Sequence, residues 1–166
     1  MNFQKIHRLI IAALLTAIIC IATFIIKIPL PATGGYVNFG DCFVLISGIY
    51  LGSGYGAVAA GLGSAIADLL SGYAQYAPAT FVIKALSATV VFFIYKAFRK
   101  KHKFFSFAVS GAVAESVMVL GYFAYEGIIL KYGMGALGSV FPNIIQGVVA
   151  VCAATVLGTA LSNIKK

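Results

Sequence analysis

The chain has 166 residues, of which 61% are hydrophobic and 10% charged, with a mean hydropathy of +1.02. A water-soluble domain of this length needs far more polar surface, so the composition excludes one and makes the bilayer the solvent. The net charge of +8 suggests nucleic acid until it is placed: nine of the twelve Lys and Arg lie at Lys5 and Arg8, at Lys96, Arg99, Lys100, Lys101 and Lys103, and at Lys165 and Lys166. Basic clusters at the ends of apolar runs are topology signals, so no nucleic-acid partner is expected.

The runs are continuously apolar rather than alternating, which favours helices over barrel strands. At about 20–25 residues per span plus short loops, six helices fill residues 1–166 as a single integral-membrane domain. The first is expected over residues 6–28. Lys5 and Arg8 ahead of an apolar stretch imitate a secretion signal. The apolar run is too long for one, however, and Pro29 and Pro31 stand where a small-residue cleavage site belongs, so a retained helix is expected. Ala13 and Ala17 on it, four apart, let another helix approach closely, either within the chain or from a partner subunit. Lys27 can snorkel to the outer interface. Pro29 and Pro31 end the helix, and residues 32–38, with Tyr36 and Asn38, form an outer loop able to close over a solute.

A short second helix, residues 39–51, begins near Asp41, which either complements the helix dipole or contacts a solute. Residues 52–56 are an inner turn. The third helix, residues 57–70, has so little side-chain bulk that it must be packed by neighbours. Asp68 near its outer end needs a partner, and Lys84 is the expected one. After an outer loop with Gln75 and Tyr76, the fourth helix covers residues 79–98 and holds Lys84 roughly 8 Å inside. The fifth, residues 104–126, carries Glu115, Tyr122 and Glu126 at spacings of seven and four, hence on one face. The sixth, residues 136–161, carries Asn143 and Gln146 on one face, with Pro142 loosening the backbone beside them. Both termini are expected in the cytoplasm.

Placed by depth, Asn38, Asp41, Asp68, Gln75, Lys84, Glu126, Asn143 and Gln146 fall in the outer half and Glu115 near the middle. A through-channel wants polar lining along its whole length; an outward-facing pocket wants this asymmetry. Tyr36, Tyr73, Tyr76, Phe81 and Tyr122 can stack on a flat ring, while amides and acids pair with its heteroatoms. The chain has no nucleophile, metal-protease or phosphate-loop motif, so no catalytic residue, metal or cofactor is expected. Cys20, Cys42 and Cys152 are expected as buried thiols. A solute-binding subunit is the favoured reading. A scaffold or assembly protein without solute binding, and a stand-alone facilitator, are the alternatives.

Ala13-Leu-Leu-Thr-Ala17, GYVNFGD at residues 35–41, the Gly/Ala-rich run at 52–63 and ADLLSGYAQYAPATFVIK at 67–84 together resemble the substrate-binding S components of energy-coupling factor (ECF) transporters. The likeness is to the riboflavin, hydroxymethylpyrimidine and pyridoxine branch, over nearly the whole chain. It implies an all-α bundle of six transmembrane helices that binds a water-soluble vitamin or precursor on the outer side. It also implies a membrane-embedded coupling protein (EcfT-like) and two cytoplasmic ATPases as partners in a bacterial cell membrane. On that likeness Ala13 and Ala17 dock the coupling protein, the first outer loop is a gate, and Lys84, Tyr122, Glu126, Asn143 and Gln146 contact the solute. Tyr36, Asn38, Asp41, Tyr76 and Glu115 complete the expected site. The chain has no Trp, so tyrosines must do any stacking.

Overall fold

The computed structural model describes residues 3–31, 33–99 and 102–164. Lys100, Lys101, Lys165 and Lys166 of the basic clusters lie outside the described residues. Helix α1 (Phe3–Ile25) leads into an antiparallel hairpin of β1 (Lys27–Leu30) and β2 (Gly35–Asn38). Four helices follow: α2 (Asp41–Leu70), α3 (Ala77–Phe98), α4 (Lys103–Ala124) and α5 (Leu137–Ile164). A π-turn (Tyr125–Ile129) and a 3-10 turn (Gly133–Ala136) link the last two. Among the described residues, five segments are long and apolar enough to cross a bilayer. The molecule is inside-out by soluble standards. Leu14, Leu120, Phe141 and Val156 are exposed, while Asp41, Lys84, Glu126, Asn143 and Gln146 are buried. That distribution fits a hydrocarbon surround, where only internal partners can satisfy polar groups.

Helix α2 is not one rod. Gly52 has φ 85° and ψ −179°, a conformation an L side chain rarely adopts. The chain doubles back there. Ser47 Oγ donates to the Gly56 carbonyl at 3.1 Å, whereas nine residues along a straight helix span about 13–14 Å. The two arms, residues 41–51 and 53–70, correspond to the second and third expected helices, with the turn reduced from five residues to Gly52 alone. Small residues permit the packing: a Cβ at Gly48 would collide with the Ala88 carbonyl on α3, and one at Gly61 with the Phe81 carbonyl.

The first helix ends at Ile25 rather than residue 28, and what reads as a loop is a hairpin pairing Lys27 with Asn38 and Leu30 with Gly35. Gly34, with φ 64°, allows the reversal; Pro29 falls on a strand with no neighbour beyond its partner among the described residues, and Pro31 follows in the turn. Lys27 does more than snorkel: its ammonium donates to Ser71 Oγ at 2.9 Å and lies over the Phe24 ring. The cysteines differ from expectation. All three are free thiols, but only Cys42 is buried, and Cys152 faces outward, where lipid replaces core packing.

Candidate functional site

The hairpin closes one end of the bundle. Beneath it lies a narrow pocket, partly open to solvent, with about 20 Å³ of space for the centre of a water-sized molecule. Its wall takes Thr23 from α1, Tyr36 and Asn38 from β2, and Ser64 and Asp68 from the second arm of α2. Tyr76, Thr80 and Lys84 come from the start of α3, Tyr122 and Glu126 from the end of α4, and Asn143 and Gln146 from α5. Each of the five helices contributes, α2 through its second arm only, and because α2 folds back its two ends, 27 residues apart, reach the same end of the bundle, with Asp41 behind the wall. A straight helix would hold Asp41 and Asp68 about 40 Å apart.

Most of the wall is cross-linked. Lys84 forms a buried ion pair with Asp41 and stands 5.3 Å from the Tyr122 ring centre. Gln146 donates through Nε2 to Asp41 Oδ2 at 2.5 Å and accepts the Asn38 backbone N–H through Oε1 at 2.5 Å. One α5 side chain therefore ties the hairpin to the ion pair. The Tyr36 hydroxyl donates to Asp68 Oδ1 at 2.5 Å. Burial, and next the Asp68 charge, hold the Tyr36 phenol above the usual tyrosine range, so it stays a donor. Tyr76 O–H is shared between the Thr33 carbonyl at 3.0 Å and Glu126 Oε1 at 3.2 Å, and Ser139 donates to Glu126 Oε2. Burial and the Glu126 charge raise the Tyr76 phenol as well. Tyr122 and Thr80 hydroxyls meet at 3.0 Å.

Of the residues expected at the site, Tyr36, Asn38, Tyr76, Lys84, Tyr122, Glu126, Asn143 and Gln146 line the pocket. Asp41 stands behind the wall, 1% exposed, as the counter-ion of Lys84. This overturns the expected Asp68–Lys84 pair, since Asp68 takes Tyr36 instead. Glu115 is buried but lines a separate apolar groove between α4 and α5. It shares the face of Tyr122, yet lies about 10 Å deeper along the helix, below the pocket floor. Gln75 is exposed and gives only its carbonyl, to Tyr125, while Tyr73 stacks on Tyr36 with ring centres 4.7 Å apart, outside the lining. Phe81 packs on Gly61. Thr23, Ser64 and Thr80 are lining residues that the sequence reading passed over. Their only signal was position, a hydroxyl one helical turn from Asp68 or Lys84, or close to the end of α1. Ala13 and Ala17 are exposed on α1, while Ala12 and Ile19 face the bundle, so the small pair is not used for packing within the chain. Among the described residues no His, Cys, Asp and Glu cluster is arranged to hold a metal ion.

Comparison with known proteins bears on the fold and the family. A relative from Pyrococcus woesei, itself uncharacterised, is 33% identical over 130 residues, covering 78% of this chain and 84% of the relative. The solved S component of a bacterial ECF transporter superposes with a TM-score of 0.72 at 24% identity, covering 98% of this chain and 99% of that one, and so shares its fold. Residues 3–163 match the family model of the ECF-type riboflavin transporter S component. The membrane bundle, its polar pocket under a hairpin and a match running almost end to end place the chain in the ECF-type riboflavin transporter S component family, a family of transport subunits rather than enzymes.

Proposed function

We propose that the protein binds a water-soluble vitamin or precursor in the pocket beneath the hairpin and delivers it across the membrane with an ATP-driven ECF module. One observation carries the reading: buried and half-buried polar side chains from all five helices and the hairpin converge on one pocket, and of the four acids in the chain Asp68 and Glu126 line it, Asp41 stands directly behind it and Glu115 alone lies apart. Such groups are costly in hydrocarbon, and their convergence around a cavity is what a solute site requires. The wall mixes carboxylates, amides and phenols, which suits a flat heteroaromatic ring. Riboflavin, for which the family is named, and pyridoxine or hydroxymethylpyrimidine are the solutes of choice.

Counting the two arms of α2 separately gives six helices, and alternating them from a basic cytoplasmic start puts both termini inside and the hairpin outside. The exposed Ala13 and Ala17 are the docking face for a membrane-embedded coupling protein, which two cytoplasmic ATPases would drive. A bacterial cell membrane is the expected setting.

The test is a thermal-shift and equilibrium-binding screen of the purified full chain against B vitamins and their precursors. At least one compound should stabilise the protein. Asn143→Ala and Glu126→Ala should each weaken it by about tenfold or more, the scale of one lost buried hydrogen bond to a polar or charged group. Unchanged affinity in both variants removes the pocket as drawn.

A further inference from the structure

The pocket wall is unevenly satisfied. On the α3, α4 and α5 side, Lys84, Glu126, Gln146 and the Thr80–Tyr122 pair are occupied by one another or by neighbours. On the opposite side three buried polar atoms have no hydrogen-bond partner: Thr23 Oγ1, Ser64 Oγ and Asp68 Oδ2. Their residues are 2%, 1% and 3% exposed, and all three line the pocket. Ser64 and Asp68 are four apart on the second arm of α2 and share its face, while Thr23 comes from α1. The Thr23 hydroxyl sits where a side chain at position 40 would collide, so Gly40 leaves it room. Thr80 stands near the same carboxylate and shares a hydrogen bond with Tyr122 in which either hydroxyl can donate, so its contact with Asp68 falls short of the geometry of a full hydrogen bond. Buried polar atoms without partners also occur elsewhere in the chain, at Ser87 and Glu115 among others, but two hydroxyls and a carboxylate oxygen gathered on one wall of one cavity mark groups that a ligand completes.

The charges narrow the ligand further. Once Asp41 closes on Lys84, the wall keeps two carboxylates, Asp68 and Glu126, and no lining cation free of a counter-ion among the described residues. A carboxylate oxygen only accepts, so its missing partner must donate.

We infer that Thr23, Ser64 and Asp68 form an anchoring subsite for the hydrogen-bond-donating part of the solute, its hydroxyl or ammonium groups, and that the pocket takes neutral or cationic compounds and rejects phosphate esters. The inference rests on the solute-site reading above. A phosphate ester brings close to two negative charges at neutral pH, and here it would meet a surplus of carboxylate with no open cation.

Calorimetric binding to the purified full chain tests this with paired probes. These are riboflavin, pyridoxine and hydroxymethylpyrimidine, each beside its own phosphate ester. The parent compound that binds should do so at least tenfold more tightly than its ester. Ser64→Ala should weaken it by about two- to tenfold, the range for one neutral hydrogen bond, and Asp68→Asn by about tenfold or more. Ser87→Ala removes another buried hydroxyl without a partner, one outside the pocket, and should change nothing. Asp68→Asn also disturbs Tyr36, so Ser64→Ala decides if that variant fails to fold. An ester that binds within twofold of its parent, or unchanged affinity in Ser64→Ala, overturns the subsite while leaving the transport reading in place. Binding by none of the six compounds removes the solute-site reading, and the subsite with it.

Discussion

At the scale of single residues, the ion pair between Lys84 and Asp41 is the most exacting feature. Both side chains are at most 2% exposed. Removing one partner strands the other charge in a low-dielectric interior, which costs about 3–5 kcal/mol, whereas replacing both is far cheaper. Lys84→Met is therefore expected to lower the thermal midpoint in detergent sharply, and the double variant Asp41→Asn, Lys84→Met to regain much of the loss. Equal destabilisation in single and double variants would show the pair is not coupled. Tyr36 gives a pH prediction. Its phenol is held above the ordinary value of about 10, so the neutral form is favoured in the folded state. Its contribution to stability is fully present below that ordinary value and is lost only as pH rises through the higher folded one. Tyr36→Phe should thus leave the tyrosinate absorbance developed by about pH 10 unchanged. A drop equivalent to one tyrosine would show that Tyr36 ionises normally.

At the scale of elements, glycines decide where α2 can bend and pack. Gly52, with φ 85° and ψ −179°, sits in a region essentially reserved for glycine, so Gly52→Ala is expected to cost about 1–3 kcal/mol of stability. Gly56→Ala should cost more, since its Cβ would strike the Ser47 carbonyl. Gly54 is helical and has open space around it, so Gly54→Ala is expected to be neutral or stabilising by up to about 1 kcal/mol. Thermal unfolding of the three variants checks the ranking. The division of α2 is legible in the sequence, because a Gly-Ser-Gly-Tyr-Gly run between apolar stretches signals a reversal. The hairpin is not: strands of four residues, one holding Pro29 and followed at once by Pro31, carry no period long enough to separate strand from loop. Partner choice was also hidden. Spacing gives the depth of Asp41, Asp68 and Lys84 but not their direction around the bundle axis, and Asp41 and Asp68 both end near the pocket. The same limit explains Glu115, whose face was read correctly and whose depth excludes it from the wall.

At the scale of the whole molecule, the solute pocket and the small-residue face of α1 are separate surfaces, and transport needs both. Ala13→Leu with Ala17→Leu adds bulk at exposed positions, where nothing inside the chain is disturbed. The variant is expected to keep its solute affinity and to lose ATP-driven uptake when reconstituted with a coupling protein and its ATPases. Retained uptake would move the docking face elsewhere. The apolar exterior and buried charge also explain why the fold class is so plain from composition: with only four acidic residues in the chain, almost any helix must face lipid somewhere.

The buried ion pair also constrains biogenesis. Asp41 leaves the ribosome 43 residues before Lys84, and it opens its helix arm, where the translocon penalty for an aspartate falls below the roughly 2.5–3.5 kcal/mol of a central position but does not favour insertion. The arm that carries it is short, about 16 Å by helical rise against a hydrocarbon layer of about 30 Å. That segment is therefore expected to insert poorly until its counter-charge arrives, and residues 41–98 to enter the bilayer together rather than helix by helix.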